Sequence, residues 1–577
     1  MPPTVGIKRS KERGRGLWTK EFIKAGTTIF TTKPRAYVLS RSQLDMFCSA
    51  CTGARPATGL KKCGKCKVVH YCGPACQNAD WEAHKPECEA LRRWAASASS
   101  ASTAGSSSGA LSQSDEEGED DGNTEVDQGV EEEYTSVPSE AIRCLARIMW
   151  TRKKEGSSSI WWKEINEMQC HRDNIAQSMV NAHVHLAHGI VRYMGLASAH
   201  DLARFEVRGV GELVEFISKF TSNSFTLATP SLSPIGVAIS PLAALINHSC
   251  DPNVAVVFPR SSSAKEEPLI HVVAIQDIQP NEELFTSYID ITLPRAQRQK
   301  DLKETYNFIC ECEICKPSSN AEGVQVSSED WRERMWCPAR CGGTCPLPLS
   351  DDDEVRCTKC SLQVADVSKV IDAIRVGQDA LDKATALQFS DLQRAIKLTR
   401  NTIPLLVQTG LPPSSHPLLA LYRLQQGLLI STFSDSEKLS KELLNETICS
   451  AAKAAAGLDN VLRPGHPVRA LALAELGKLL AVDEPPSTNS SPGEPTFPPS
   501  GPARLQLAVQ ALQQAYTELL IAFGKGPEDG GGGAVGREIR ELLVNLEKEL
   551  GVWNQRIGQT LKDTLTEQKG GDVEAKR

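Results

Sequence analysis

The run Asn247-His248-Ser249-Cys250-Asp251-Pro252-Asn253 lies between an apolar segment, 242–246, and a β-branched segment, 254–258. Pro252 fixes its own φ and turns Asp251 away from helix, so the run bends sharply. Asn, His and Cys are thereby carried into the angle between two buried segments, where polar groups need assigned partners. Alone, such a tetrapeptide is an ordinary Asx-type turn. Its weight comes from the company it keeps.

A chain of 577 residues is too long for one core, so several domains are expected. No apolar run reaches the roughly 18 residues of a membrane-spanning helix, and the first ten residues lack the apolar stretch of a signal peptide. The expected location is the nucleus and/or cytoplasm, with no basic cluster to choose between them. In such a reducing place the nineteen cysteines point to metal rather than disulfides. The net charge of −7 is uneven: residues 115–133 hold eleven acidic and no basic residues, leaving 60 acidic against 64 basic elsewhere. That near-neutral remainder gives no strong case for nucleic acid.

Residues 48–88 carry four ligand pairs: Cys48-x2-Cys51, Cys63-x2-Cys66, Cys72-x3-Cys76 and His84-x3-Cys88. Tetrahedral zinc takes four such donors at about 2.0–2.3 Å, so eight suit two closed, structural ions. So short a segment would draw much of its folding free energy from the metal. With Tyr71, Gln77 and Trp81 in place, the spacing resembles a MYND zinc finger. The resemblance implies that the first and third pairs share one zinc and the second and fourth the other. It also implies an interaction module, often for proline-containing peptides. The finger's six Lys/Arg residues and two Zn2+ ions are matched by seven thiolates and three acidic residues, so its lysines read as a solvated surface.

Around the finger, 5–40 reads as short strands with tight turns. In Arg13-Gly14-Arg15-Gly16, two glycines about one residue permit close backbone approach to a ligand. Residues 95–137, Ala/Ser-rich and then acidic, read as a disordered insert. Ile142, Leu145, Ile148 and Met149 open a helical stretch, 138–220. Its His183, His185 and His188 are ordinary helix residues, since 183 and 185 cannot share a face. A β-rich block follows, from Asn223-Ser224-Phe225 through the 247–253 run to Glu282-Glu283-Leu284 and Tyr288, then Tyr306-Asn307-Phe308. Cys310, Cys312 and Cys315 lack a fourth ligand nearby, which Cys250 supplies if the chain folds back.

At 330–362, Cys337-x3-Cys341 and Cys357-x2-Cys360 form a separate set with Cys345 left over. Cys341-Gly342-Gly343 resembles a zinc-ribbon knuckle, and the set is either a fourth zinc site or free thiols in a variable loop. Residues 365–567 are helical, with apolar stripes at Leu505, Val509, Leu512, Tyr516, Leu519 and at Ile539, Leu543, Leu546, Leu550, broken at 485–502 and 526–536.

The ordered series over about 5–316 resembles a SET domain, and with the inserted finger it is similar to the SET-and-MYND-domain protein lysine methyltransferases. The resemblance implies a multidomain α+β fold. Its β-rich SET domain (1–47 and 221–290) holds a pseudoknot in which the 247–250 segment passes through a loop of later chain. The finger (48–88) and helical insert (138–220) interrupt it, and a post-SET zinc segment (291–316) and a tetratricopeptide-like helical domain (365–567) follow. Cys250 then completes a zinc site with Cys310, Cys312 and Cys315. S-adenosylmethionine is the implied cofactor, with Arg13 and Arg15 along it, Asn223, Asn247 and His248 hydrogen-bonding it, and Phe308 packing near its adenine. Tyr288 and Tyr306 border the channel for the target lysine, where Ser240 stands in place of an aromatic of some relatives. The implied activity is protein-lysine N-methylation on histone or non-histone lysines by a monomer, with no membrane partner. The alternative is a non-catalytic adaptor or transcriptional co-regulator that retains a SET fold. Survival of Asn247, His248, Tyr288 and the glycine loop together favours the enzyme.

Overall fold

Short β-branched runs punctuated by glycine and proline make short strands, and here the early ones find their partners late in the chain. The computed structural model describes residues 2–11, 13–104, 137–170, 177–260, 265–316, 318–319, 325–326, 330–433, 439–485, 497–526 and 531–574. β1 (Val5–Ser10) and β2 (Gly14–Thr19) form an antiparallel hairpin, which Gly14 opens at φ +72°. β3 (Thr28–Thr32) and β4 (Ala36–Leu39) follow. The finger contributes β5 (Lys61–Lys62), β6 (His70–Tyr71) and the start of α1 (Pro74–Ala104). α1 runs through Ala104, into the stretch expected to be disordered, because alanine there favours helix. The rest of that stretch, 105–136, lies outside the described residues.

The helical insert is α2 (Glu140–Glu155), α3 (Ile160–Asn166), α4 (Gln177–Met194), α5 (Ala199–Ala203) and α6 (Val210–Asn223). The predicted apolar face of α2 is buried at Ile142, Leu145, Ile148 and Met149. On α4, His183 is buried whereas His185 and His188 are exposed, so the three do not converge.

β7 (Ser224–Ala228) and β8 (Pro234–Ile239) then build the antiparallel sheet β4-β8-β7. After β9 (Asn247–His248), β10 (Val254–Val257) and β11 (Ile270–Ala274) complete the sheet β10-β11-β3. β3 and β4 thus pair with strands that follow the finger and insert. β12 (Phe285–Thr286) lies parallel to β9, pairing Phe285 with Asn247 and Thr286 with His248.

Strand alternation splits β10 between two cores. Val254 and Val256 join the core shared by strands, finger and insert, while Ala255 and Val257 join Val273 and Ile275 against Leu512, Ala515 and Leu519. Those last residues belong to a helical array. After α7 (Arg295–Tyr306) of the post-SET segment, the array's members are α8 (Val367–Leu387), α9 (Leu392–Gln408), α10 (Leu418–Ser431), α11 (Lys441–Val461), α12 (Pro467–Ala481), α13 (Pro502–Ala522) and α14 (Gly533–Glu574). Both predicted stripes pack there, with Leu512, Leu519, Ile539 and Leu546 buried. His466 caps α12, its Nδ1 accepting from Val468 N at 3.3 Å.

A buried ion network joins finger to insert. Glu87 accepts from Arg143 Nε at 3.1 Å and Arg147 Nε at 3.0 Å, and Arg147 also pairs with Asp80 at 3.1 Å. Tyr71 Oη donates to Asp80 at 2.9 Å, and Arg143 donates to the Leu39 carbonyl at 2.9 Å. Removing one partner leaves a buried charge uncompensated. Glu87→Ala is therefore expected to cost about 3–5 kcal/mol in urea unfolding. A cost under about 1 kcal/mol would show that the two arginines find other partners.

Candidate active site and metal centres

The 247–253 run is built into the fold by backbone first. Beyond the two β9–β12 pairs, Ser249 N donates to Thr286 O at 3.0 Å and Asn253 N to Phe285 O at 3.1 Å. Asn253, 2% exposed, adds three side-chain bonds: Phe285 N donates to its Oδ1 at 2.7 Å, and its Nδ2 donates to Glu283 O at 2.8 Å and to Glu282 Oε1 at 3.3 Å. A side-chain amide thus continues a strand ladder where the chain has turned away.

His248 is held at both ring nitrogens. Its Nδ1 accepts from Tyr288 N at 3.0 Å, which leaves the proton on Nε2, 3.4 Å from Cys250 Sγ. The imidazole therefore links the backbone of Tyr288 to a thiol. What His248 can offer a ligand is its backbone.

Asn247 Nδ2 donates to Glu283 Oε1 at 2.7 Å and to Arg15 O at 3.2 Å. Glu283 is buried and also pairs with Arg13 at 3.5 Å, while the Arg13 guanidinium sits 5.0 Å from the Phe285 ring centre. Gly16 owes its identity to this cluster. A Cβ there would lie 2.3 Å from Glu283 Oε1 and 2.9 Å from Asn247 Nδ2. The close approach expected of the glycine pair is therefore made, at Gly16, to the protein's own side chains.

A cavity of about 1250 Å3 opens beside these groups, lined by Arg13, Arg15, Asn223, Asn247, His248, Tyr288, Tyr306 and Phe308. All eight residues expected at cofactor and channel line it, and Ser240 does too. Arg15 reaches across to pair with Glu167 at 3.3 Å and to donate to the Glu167 carbonyl. Asn223 donates through Nδ2 to Gln169 O at 2.9 Å and Lys219 O at 2.7 Å, so only its Oδ1 is left to offer a ligand. The Tyr288 ring centre lies 4.9 Å from that of Tyr306, 5.3 Å from His248 and 6.4 Å from Phe308. Tyr288 Oη donates to Ile246 O at 2.7 Å. Burial holds both phenols above their ordinary pKa, so they stay neutral.

The cysteines gather as four sets, each with all ligand atoms within 4.8 Å: Cys48/Cys51/Cys72/Cys76, Cys63/Cys66/His84/Cys88, Cys250/Cys310/Cys312/Cys315 and Cys337/Cys341/Cys357/Cys360. In the finger the first pair gathers with the third and the second with the fourth, and Cys250 lies with Cys310, Cys312 and Cys315. Tetrahedral Zn–S bonds of about 2.3 Å place sulfurs about 3.8 Å apart. The sulfurs of Cys51 and Cys72 lie 3.7 Å apart, those of Cys63 and Cys88 3.8 Å, and those of Cys250 and Cys315 3.5 Å. Donor type and spacing fit closed zinc sites. The His84 ring is oriented by Glu87, 3.3 Å from its Nδ1. Gln299 grips the post-SET loop reciprocally, Nε2 donating to Cys310 O at 2.7 Å and Oε1 accepting from Cys310 N at 2.8 Å.

Glu283 and Asn253 are organising residues that the sequence motifs included without assigning a role, and Gln299 is one they did not include. Asn253 carried a usable signal, an amide set directly before a β-branched run. Glu283 carried a weaker one, an acid next to the apolar Leu284. Gln299 carried none.

The SET domain family model matches residues 14–289. The "N-lysine methyltransferase SMYD2-B" of Danio rerio is 31% identical over 322 residues, 55% of this chain and 61% of the relative. The "N-lysine methyltransferase SMYD2" of Homo sapiens is 30% identical over 325 residues, 54% and 60%. The "Histone-lysine N-methyltransferase ASHR1" of Arabidopsis thaliana is 25% identical over 330 residues, 56% and 57%. The chain spans about three fifths of the length of these curated relatives. Residues 14–289 thus match the SET domain family model, and over about half its length the chain, with its two-site cysteine–histidine finger, is similar to these methyltransferases.

Proposed function

We propose that this chain is an S-adenosylmethionine-dependent protein-lysine N-methyltransferase acting on histone or non-histone lysines. One observation carries the reading: a single cavity joins the Asn247–His248 turn to a cluster of Tyr288, Tyr306 and Phe308. The lining groups suit the cofactor, with guanidinium groups for a carboxylate at Arg13 and Arg15, accepting amide oxygens at Asn223 and Asn247, and an aromatic face at Phe308. S-adenosylmethionine, when bound, supplies a methyl group on a sulfonium to an entering amine.

The rest of the chemistry falls to the chain's own residues. A lysine amine has an unperturbed pKa near 10.4 and must enter neutral to present its lone pair. The rings of Tyr288 and Tyr306 desolvate it, which favours the neutral form, and their faces tolerate the cationic product. The bond from Tyr288 Oη to Ile246 O fixes the ring and leaves oxygen lone pairs to accept an amine N–H. Holding the amine in a near-attack pose is the main contribution asked of the channel. The zinc sets of the finger and the post-SET segment are closed and structural, and the finger is assigned to proline-containing peptides. We assign the enzyme to the nucleus and/or cytoplasm, working as a monomer without nucleic acid or membrane. Among the described residues, no helix is long and apolar enough to cross a membrane.

Labelled S-adenosylmethionine should transfer its methyl to lysines of a protein extract with the wild type. Tyr288→Phe should lower kcat about 10- to 100-fold while cofactor affinity is kept, since misplacing a bound reactant costs about that much. A wild type that binds no cofactor overturns the reading, and one that binds it but labels nothing makes the chain an adaptor.

The pH profile gives a second test. Below the lysine pKa the neutral fraction grows about tenfold per pH unit, so the rate should rise from about pH 7 toward pH 10. The two phenols, held above their ordinary pKa, keep their protons and impose no falling limb in that window. A profile flat across it contradicts deprotonation of the amine before transfer.

A further inference from the structure

The segment 330–364 has too little apolar material to fold alone: two three-residue strands, Arg334–Trp336 and Thr344–Pro346, and loops. Yet it carries four converging thiols. Cys337 and Cys360 sulfurs lie 3.6 Å apart, and so do those of Cys341 and Cys357. All are free thiols, so no disulfide accounts for their meeting.

A second observation is the shape of the backbone. In Cys48-x2-Cys51 the N–H of the following Thr52 donates to Cys48 O at 2.8 Å, and in Cys63-x2-Cys66 that of Lys67 donates to Cys63 O at 3.0 Å. Cys357-x2-Cys360 repeats this turn, Ser361 N donating to Cys357 O at 3.0 Å. The three closing residues share a left-handed φ: 55° at Thr52, 57° at Lys67 and 59° at Ser361. None of them is glycine, so each pays the αL cost to aim two sulfurs at one point. Lys359 N also donates to Cys357 Sγ at 3.4 Å, a bond that suits a thiolate. On the opposite knuckle a Cβ at Gly343 would lie 2.8 Å from Cys357 Sγ and 3.3 Å from Cys341 Sγ.

The segment lies between the catalytic half and the helical array. Arg332 Nε donates to Ile291 O at 2.7 Å and its Nη2 to Val461 O at 2.6 Å. Trp336 N donates to Gly410 O at 2.8 Å, and His416 N to Arg332 O at 3.2 Å. Glu333 accepts from Arg295 N at 2.7 Å, capping the start of α7. α7 carries Gln299, which grips the post-SET loop, and ends at Tyr306 in the channel.

We propose that Cys337, Cys341, Cys357 and Cys360 bind a further structural zinc ion that makes this segment a rigid brace between α7 and the C-terminal helices. Cys345, fully buried beside the set but outside it, is not a ligand. This metal assignment does not depend on the methyltransferase reading.

The test is zinc content of the full-length protein by elemental analysis. The wild type should hold four ions per chain, Cys360→Ser three, and Cys360→His, which keeps a zinc donor, four. Three ions in the wild type, or four in Cys360→Ser, overturns the site. If Cys360→Ser does not fold, alkylation of the native wild type decides. The thiol of exposed Cys360 should resist iodoacetamide until a chelator is added, and immediate modification overturns the site. Hydrogen exchange reads the brace: backbone amides of 295–306 should exchange faster in Cys360→Ser or in chelated wild type. Unchanged protection there, with zinc lost, overturns the brace.

Discussion

The parallel pairing of β9 with β12 is the constraint on which the rest depends. Two residue pairs would be a weak sheet by themselves, and this one persists because its flanks are held by other means. On one side Asn253 extends the ladder with its side chain. On the other, Cys250 is drawn into a set with three later thiols. The pairing carries Asn247 to the cavity wall and lays Tyr288 beside His248. The cysteine set, the cavity wall and the aromatic cluster around Tyr288 are therefore joined through one turn.

The charged residues around this turn serve mostly to hold it. Buried Glu283 occupies Asn247 and Arg13, and Gly16 is glycine because a side chain would displace that carboxylate. The ring nitrogens of His248 are both committed to the protein. Preorganisation of this kind limits the motion of cavity groups and lowers the ordering cost of binding. The C-terminal array adds a support from outside, where Arg463 grips Asp251 through both carboxylate oxygens at 2.5 Å.

Much of this was legible in the sequence because ligand chemistry is stereotyped. Cys-x2-Cys pairs announce knuckles wherever they occur, and the odd count at 310–315 pointed to a distant fourth thiol, beside which the fold sets Cys250. The cavity residues were legible through their ordered resemblance to a family. Their individual partners were not. Whether Asn223 spends its amide on Gln169 and Lys219, or whether the glycine pair meets a ligand or Glu283, depends on tertiary placement that no local pattern encodes. The same holds for Gln299, an unremarkable polar residue on α7 until the loop it grips is folded against it.

The central claim is that the post-SET zinc and the cofactor wall are one unit. Cys312→Ser tests it most directly, because Cys312 is a partly exposed ligand of that set and lies outside the 247–253 run. Zinc content and S-adenosylhomocysteine affinity, measured together by elemental analysis and calorimetry, should fall together: one ion lost and binding weaker by about tenfold or more, which is about 1.4 kcal/mol. Loss of the ion with cofactor affinity unchanged would contradict the claim.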